Sequence, residues 1–570
     1  MKNHEVAQIL YGISQYLYLT NENVFKIRAY EKAAQTVENL AEDIESYKNF
    51  PEKLFSLPGI GKSIGEKILE YLSSGKVQYY EELKSMFPDG LMEIMAVPGM
   101  GPKRTKILYE KLGIKDIGML KEYAQKGVLQ TLDGFGDKIV KNILEGIEFK
   151  AETEKRILYS EAQFLVEEIA SYLREKGVTE IEACGSYRRK KETVGDIDIL
   201  CCEKKSLDII SHFVKFPKLK KVLSQGETKA SILLENGIQV DLRVVGKESY
   251  GAALQYFTGS KEHNISLREV ALQKGLSVSE YGVFVEKTKK YLCGKKEEEV
   301  YSCLGLQYIE PELRENKGEI ELARQKKLPR LIDMKDIKGD THIHSDYSDG
   351  TNSIEEIVFY AEKFGYEWII ICDHSRSLKV AGGLEEKDLF RKIEHIRSIK
   401  SKVKVFSGTE VDILSDGKLD YSDEVLKEVD FVIGAIHTGF KQTEQQITER
   451  IIRAMENKYV HAISHPTGRI LLKRNSYQVD ITKVIKFAKM YDVLLEINAY
   501  PERLDLNDVN VKYAKEQGIK FCIGTDAHNV KHLEYLVFGV NVARRGWLTK
   551  EDVINSMTAK ELQKFLLRKR

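Results

Sequence analysis

A chain of several domains, helical at its N-terminus, α+β in its middle and βα-repeating at its C-terminus, is predicted by three observations. A Gly-x-Gly turn recurs three times before residue 140, and an Asp-x-Asp pair follows a Gly-Ser-Tyr-Arg-Arg stretch near residue 190. Beyond residue 338, short β-branched runs alternate with helical periods, and one run after another ends in His, Asp or Glu. A length of 570 residues is too great for one core. The formal charge is +1, from 88 basic and 87 acidic residues, so any nucleic-acid binding must use local patches, not global basicity. The seven cysteines include no Cys-x-x-Cys pair, which argues against a cysteine zinc site or a disulfide framework and predicts reduced thiols, Cys201 and Cys202 among them. The N-terminus does not read as a signal peptide, and the densest apolar run, around Trp368–Cys372, is too short to span a bilayer. A cytoplasmic protein without membrane contact is expected.

The turns come first in chain order. They are Leu57-Pro58-Gly59-Ile60-Gly61-Lys62, Val97-Pro98-Gly99-Met100-Gly101-Pro102-Lys103 and Leu132-Asp133-Gly134-Phe135-Gly136-Asp137-Lys138. Paired glycines permit a tight turn whose free amides open the next helix, and such a helix start binds phosphate without reading sequence. Each copy resembles a helix-hairpin-helix, and Lys62, Lys103, Arg104, Lys106, Lys138 and Lys141 follow on the succeeding helices. A single copy could be a plain helix-helix turn; three in tandem point to DNA-backbone binding. Asp133 and Asp137 make the third the weakest.

The middle region carries the first catalytic pattern. In an extended strand Asp196 and Asp198 project from one face, close enough to share divalent metal ions, and two such ions clamp an in-line phosphoryl displacement. Upstream, Gly185 permits close backbone approach to a polyphosphate, while Ser186 and Arg189 supply donors. Downstream, Ile238–Val245 reads as a strand with Asp241 on its polar side, the natural third carboxylate.

These residues resemble the palm of family X DNA polymerases, the repair enzymes related to polymerase beta. The resemblance continues through Tyr256-Phe257-Thr258-Gly259-Ser260, Asn264 and Arg268. It implies that Asp196 and Asp198 bind both metals, Mg²⁺ or Mn²⁺, and that Asp241 holds the primer-end metal and helps activate the 3′ hydroxyl. Ser186, Arg189 and the Gly195 backbone would hold the triphosphate. Tyr256 and Phe257, with the Gly259 turn, would face the incoming sugar, and Asn264 and Arg268 the minor groove of the nascent pair. Gly59, Gly61, Gly99, Gly101 and Lys103 would contact the DNA backbone. Lys67 aligns with the family's Schiff-base lysine, and Lys26 and Tyr30 are kept. Phe25, Phe55 and Ser63 replace the His or Lys of lyase-active relatives, so a phosphate contact and a lyase nucleophile both stay open for Lys67.

The C-terminal grammar reads as a βα barrel, with ligands at strand C-termini where barrel enzymes place their sites. The runs end at Asp340-Thr341-His342-Ile343-His344, Asp373-His374, Glu410, His437, His465, Glu496-Ile497-Asn498 and Asp526-Ala527-His528. Clustered imidazoles and carboxylates suit zinc, manganese or iron and imply a multinuclear site, whereas His4, His212, His395, His461 and His532 read as ordinary surface or core histidines. The set resembles the PHP, or polymerase-and-histidinol-phosphatase, domain. By that resemblance three ions would be held by His342, His344, Asp349, His374, Glu410, His437, His465, Asp526 and His528. Glu410 would bridge, Asp373 and Asn498 would support, and Arg469 could hold a phosphate.

The expected architecture is therefore a multidomain α+β and α/β chain. It comprises a helical DNA-end domain over 1–85, fingers-like helices over 86–152, a nucleotidyltransferase palm with a mixed sheet over 153–256 and a small thumb over 257–316. A linker over 317–338 leads to a distorted (βα)7 PHP barrel over 339–570. The expected function is short-gap repair synthesis from deoxynucleoside triphosphates on gapped or nicked DNA, with 3′-5′ exonuclease and related 3′-phosphatase or abasic-site activities, in a monomer. The alternatives are a DNA-end scaffold with only the phosphoesterase active, and a small-molecule phosphatase.

Overall fold

The computed structural model describes every residue except 1, 39, 41–42, 96, 98–99, 133, 137–138, 141–142, 145–155, 204–205 and 569–570. The chain divides into two compact units, residues 1–155 and 156–570.

The first unit is helical among its described residues. Its opening helix, Asn3–Leu19, buries Val6, Leu10, Ile13 and Leu17, the stripe that a 3.6-residue period lays along one face. Lys62–Ser74 buries Ile64, Ile68 and Leu72 in the same way and ends at Gly75, whose φ of +73° is the left-handed cap that glycine takes without strain.

The second unit opens on a five-stranded mixed sheet in the order Glu180–Ala183, Asp196–Cys202, Gln239–Val245, Lys229–Leu234, Leu219–Gln225. Only the pairing of Asp196–Cys202 with Gln239–Val245 is parallel. Period-two alternation sets the faces: Ile197, Ile199, Val240, Leu242 and Val244 are buried, so the acids between them face the other way. A three-stranded antiparallel sheet follows, with Gly282–Val285 central between Leu276–Ser279 and Tyr291–Cys293.

Seven parallel strands then run in sequential order: Gly339–Ile343, Trp368–Ile371, Lys404–Asp412, Phe431–Ala435, Ala462–Ile463, Leu494–Asn498 and Phe521–Gly524. A parallel bridge between Ile343 and Ala527 joins the last to the first, so the expected seven-stranded barrel is present. These strands are buried nearly throughout, as strands covered on both faces must be. Trp368, Phe406 and Phe431 pack with Leu562 and Leu566 of the final helix, Ala559–Arg568, at the end opposite the strand C-termini.

Residues 317–338, the expected linker, are packed: Glu319–Arg324 is helical, and Ile320, Ala323 and Leu331 share a core with Trp547. One apolar cluster, moreover, runs from Tyr159 to Val553, so the palm region and the barrel form one body. Cys293 and Cys303 lie side by side with their Cα atoms 7.3 Å apart, beyond the usual span of a disulfide, and the other five cysteines are free.

Candidate active sites

The first site lies on the polar face of the mixed sheet. The parallel register sets Asp198 directly beside Asp241, with Asp196 two residues earlier on the same strand and face. Gly185, at φ +60°, lies so close that a Cβ there would fall 2.4 Å from Asp198 Oδ2, so this contact admits only glycine. Burial, then the neighbouring charges of Asp196 and Asp241, push the Asp198 carboxyl up to about 7, and burial and Asp241 raise Asp196 as well. Gln239 Nε2 donates to both Asp241 oxygens at 2.8 and 2.9 Å. Carboxylates that repel one another this strongly are a site for cations, which fits divalent metal.

Around this triad, Arg189 donates from Nη1 to Thr258 O at 2.6 Å and from Nε to Glu315 at 3.0 Å. Gly259, at φ +70°, lets Arg189 approach: a Cβ would stand 3.1 Å from its Nη1. Gly195 does the same for Arg156 Nη1, also at 3.1 Å. Ser186 is half-buried beside Arg189. Tyr256 and Phe257 meet edge to face at 5.2 Å, and the Arg243 guanidinium lies 5.3 Å from the Phe257 ring. Asn264 accepts from Gln255 and donates to Tyr256 O, which braces the turn; Arg268 is exposed, its Nε on Asn264 O.

The second site lies at the strand C-termini of the barrel. Eight of the nine expected ligands fall into three groups whose donor atoms all lie within 4.8 Å of one another: His344, Asp349, His374 and His528; His342, His344 and Asp526; His374, Glu410 and His437. The ninth, His465, places Nε2 3.0 Å from Glu410 Oε1, and Glu410 Oε2 stands 3.0 Å from His374 Nδ1, so Glu410 is the centre of the set. His465 and Asp526 both hold left-handed backbone, at φ +25° and +54°, strain of the kind stored at functional positions.

Both Glu410 oxygens and His344 Nδ1 are buried without a hydrogen-bond partner. Unpaired buried lone pairs are costly unless a cation takes them, and this nitrogen-oxygen set fits transition-metal ions. Burial and the neighbouring His374 and His528 push His344 down to about 4, whereas nearby imidazoles, His437 first, outweigh burial and hold Glu410 far below the ordinary carboxylate range.

Supporting residues surround these ligands: Asp373 and Asn498, as expected, and also Glu496 and Asp412, to which the sequence pattern gives no role. Glu496, fully buried, faces His342 Nδ1 at 2.7 Å and accepts from Ser464 Oγ and His465 N, each at 2.8 Å. Asp412 faces His437 Nδ1 at 2.9 Å. A carboxylate on the far nitrogen fixes the tautomer of a ligating histidine. Asp373 is held by Ser345, Ser348 and the buried Lys392, and Asn498 donates to Asp526. Arg469 is not placed to hold a phosphate: its guanidinium pairs with Glu192 of the palm region and donates to the carbonyls of Arg503 and Leu504.

In the N-terminal unit, Gly61 and Gly101 begin the helices Lys62–Ser74 and Pro102–Leu112 with no side-chain cap, which leaves first-turn amides for a phosphate. Gly59 takes φ +79° and Lys103 is exposed, whereas Gly99 and Lys138 and Lys141 of the third copy lie outside the described residues. Lys67 is half-buried, donates to Ser63 O and lies 5.0 Å from the Tyr79 ring centroid.

A glycine turn over paired carboxylates, fused to a barrel whose donor atoms fall into three groups, defines the class as a nucleotidyltransferase joined to a metallophosphoesterase. Family comparison assigns the parts: residues 156–251 match the DNA polymerase beta palm, 253–315 the DNA polymerase beta thumb and 340–500 the PHP domain. Residues 1–77 match a helix-hairpin-helix domain and 91–148 a SAM-like helix-hairpin-helix tandem. The chain belongs to the family X DNA polymerases that carry a PHP domain. It is 37% identical over 574 residues, 100% of both chains, to the DNA polymerase/3′-5′ exonuclease PolX of Bacillus subtilis (strain 168). DNA polymerase lambda of Rattus norvegicus is 27% identical over 52% of this chain and 54% of its own. A probable phosphatase of Thermoanaerobacter sp. (strain X514) is 31% identical over 39% of this chain and 91% of its own. No helix among the described residues is long and apolar enough to cross a membrane.

Proposed function

We propose that the protein fills short gaps in DNA and trims 3′ ends, as two separable reactions of one chain. The observation that carries this reading is the register that sets Asp198 against Asp241 under Gly185, in one body with a barrel whose donors converge on Glu410. Divalent cations, Mg²⁺ or Mn²⁺ at the palm and three drawn from Mn²⁺, Zn²⁺ or Fe²⁺ at the barrel, would neutralise phosphate charge and activate the attacking oxygen.

At the palm, Asp196 and Asp198 would hold the nucleotide's cations, and Asp241, fixed by Gln239, would hold the primer-end cation and help activate the 3′ hydroxyl. Ser186, Arg189 and the Gly195 backbone grip the triphosphate, Tyr256 and Phe257 with Gly259 bound the sugar, and Asn264 and Arg268 reach the nascent base pair. At the barrel, His342, His344, Asp349, His374, Glu410, His437, His465, Asp526 and His528 would hold the cations, with Glu410 shared among them. Gly59, Gly61, Gly99, Gly101 and Lys103 grip the backbone of gapped or nicked DNA. Lys67, drawn to Ser63 O and the Tyr79 ring, serves as a phosphate contact. The protein acts as a cytoplasmic monomer, with parts bounded near residues 85, 152, 256 and 316. The likeness to a probable phosphatase supports removal of 3′-phosphates by the same barrel.

The test follows a labelled primer on a short-gapped duplex with Mn²⁺. Asp196→Ala with Asp198→Ala abolishes extension and keeps trimming; His342→Ala with His344→Ala does the reverse. A wild type that neither extends nor trims overturns the reading.

A further inference from the structure

A barrel side chain reaches Arg189 of the palm region. Arg545 closes the barrel helix Leu536–Arg545 and is 4% exposed. Its Nη1 donates to the backbone carbonyl of Arg189 at 2.7 Å and to Glu315 Oε1 at 3.1 Å, and its Nη2 donates to Asp508 Oδ2 at 2.8 Å. The same Glu315 Oε1 accepts from Arg189 Nε at 3.0 Å. Burial alone would raise the Glu315 carboxyl, but Arg545, Lys191 and Arg189 hold it at about 2, so it stays an anion between two guanidinium groups.

Both ends of Arg189 therefore depend on one barrel side chain: its carbonyl directly, its guanidinium through Glu315. With Nε on Glu315 and Nη1 on Thr258 O, the Arg189 fork is fixed in plane, and neither bond uses Nη2. Asp508, on the barrel side, completes the cradle of Arg545 and takes Lys317 as a second cation at 3.5 Å. Ordinary domain glue would not converge on the residue that grips the triphosphate. The neighbouring Arg544 shows the difference, since it binds Glu312 at 2.8 Å and Ile332 O at 2.9 Å across the same interface and does not touch Arg189.

We propose that Arg545 is a positioning residue for nucleotidyl transfer, through which the PHP barrel sets the affinity of the palm for the incoming triphosphate. This rests on the polymerase reading above. A misplaced guanidinium loses its charge-assisted bond to the triphosphate in the ground state and the transition state alike, which acts on KM more than on kcat.

The experiment measures single-nucleotide gap filling by the full chain over a range of deoxynucleoside triphosphate concentrations, with trimming followed in parallel. Arg545→Met is expected to raise the nucleotide KM on the order of tenfold, with kcat and trimming within about twofold. Arg545→Lys, which keeps the charge but not the fork, is expected to fall between, and Arg544→Gln to leave KM unchanged. If Arg545→Met does not fold, judged by lost trimming, Glu315→Gln carries the test with the same expected rise. A folded Arg545→Met or Glu315→Gln chain with wild-type KM, or an equal rise in Arg544→Gln, overturns the proposal. Absence of extension by the wild type would instead overturn the polymerase reading.

Discussion

Replacing Glu496 by glutamine removes one charge at constant shape, and the structure fixes what that costs. Glu496 Oε1 receives His342 Nδ1–H at 2.7 Å, while Oε2 faces three donors: Ser464 Oγ and His465 N at 2.8 Å and Asn498 Nδ2 at 3.2 Å. A glutamine must aim its amide NH2 at one side or the other. Turned towards Ser464 and His465, it sets donor against donor in a site with no exposure to water. Turned towards His342, it forces Nδ1 to accept, moves the imidazole proton to Nε2 and removes the lone pair that would face the cations. Either choice leaves a buried polar group unsatisfied, about 1–3 kcal/mol, which agrees with the roughly 10–100-fold loss of metal affinity typical when such an outer partner is removed. The assay is primer trimming as a function of Mn²⁺ concentration. Half-maximal Mn²⁺ should rise by that factor for Glu496→Gln while extension by the palm is unchanged. An unaltered Mn²⁺ dependence in a folded variant would refute the argument that Glu496 fixes the His342 tautomer.

Three further outcomes are expected. Gly185→Ala would drive a Cβ to within 2.4 Å of Asp198 Oδ2 at a φ of +60°, so extension should fall by more than about a hundredfold with trimming intact; steady-state rates for both reactions check it. Asp198→Asn abolishes extension yet stabilises the chelator-treated protein. The Asp198 carboxyl is raised to about 7, so its anion penalises the fold fully above that pH and not at all below its ordinary unfolded value. Calorimetry should therefore show a gain in melting temperature at pH 8 that shrinks towards pH 4; a pH-independent gain would contradict it. Lys103→Ala should weaken DNA binding evenly across sequences and lower the salt-dependence slope by about 0.9, read by anisotropy over a salt series.

The two reaction centres differ in how they could be read from the chain. The barrel ligands were legible because a barrel strand delivers side chains at its C-terminus, so His342, Glu410, His437 and Asp526 each follow an apolar run that announces them. The shared face of Asp196 and Asp198 was legible from strand period and that of Asp241 from the alternation of its own strand, but the role expected of them came from Gly185, Ser186 and Arg189 just upstream. Glu496 and Asp412 sit in equally apolar strands, yet nothing local separates an acid that binds an ion from one that orients a histidine. That distinction depends on which nitrogen of His342 or His437 it meets, a fact of tertiary distance. Arg469 shows the opposite failure. Its spacing from His465 suggested a phosphate contact, but Glu192, 277 positions away, claims it. The packed course of residues 317–338 was hidden for the same reason, since Trp547, which covers Ile320 and Leu331, comes from the end of the chain.

The bridge between Ile343 and Ala527 is the clasp of a ring. His342 and His344 lie on one side of that seam and Asp526 and His528 on the other, with the rings of His344 and His528 stacked 4.3 Å apart across it. The backbone contributes His344 N to Ala527 O and Asp526 N to His342 O, both at 2.9 Å. An ion shared by these side chains would tie together points far apart along the polypeptide, where a cross-link removes the most freedom from the unfolded chain. The chemistry of the barrel and its closure thus draw on the same donors. Stripping the cations should loosen the amides of His344 and Asp526 to hydrogen exchange before those of the interior strands, and the ring would open at its catalytic edge first.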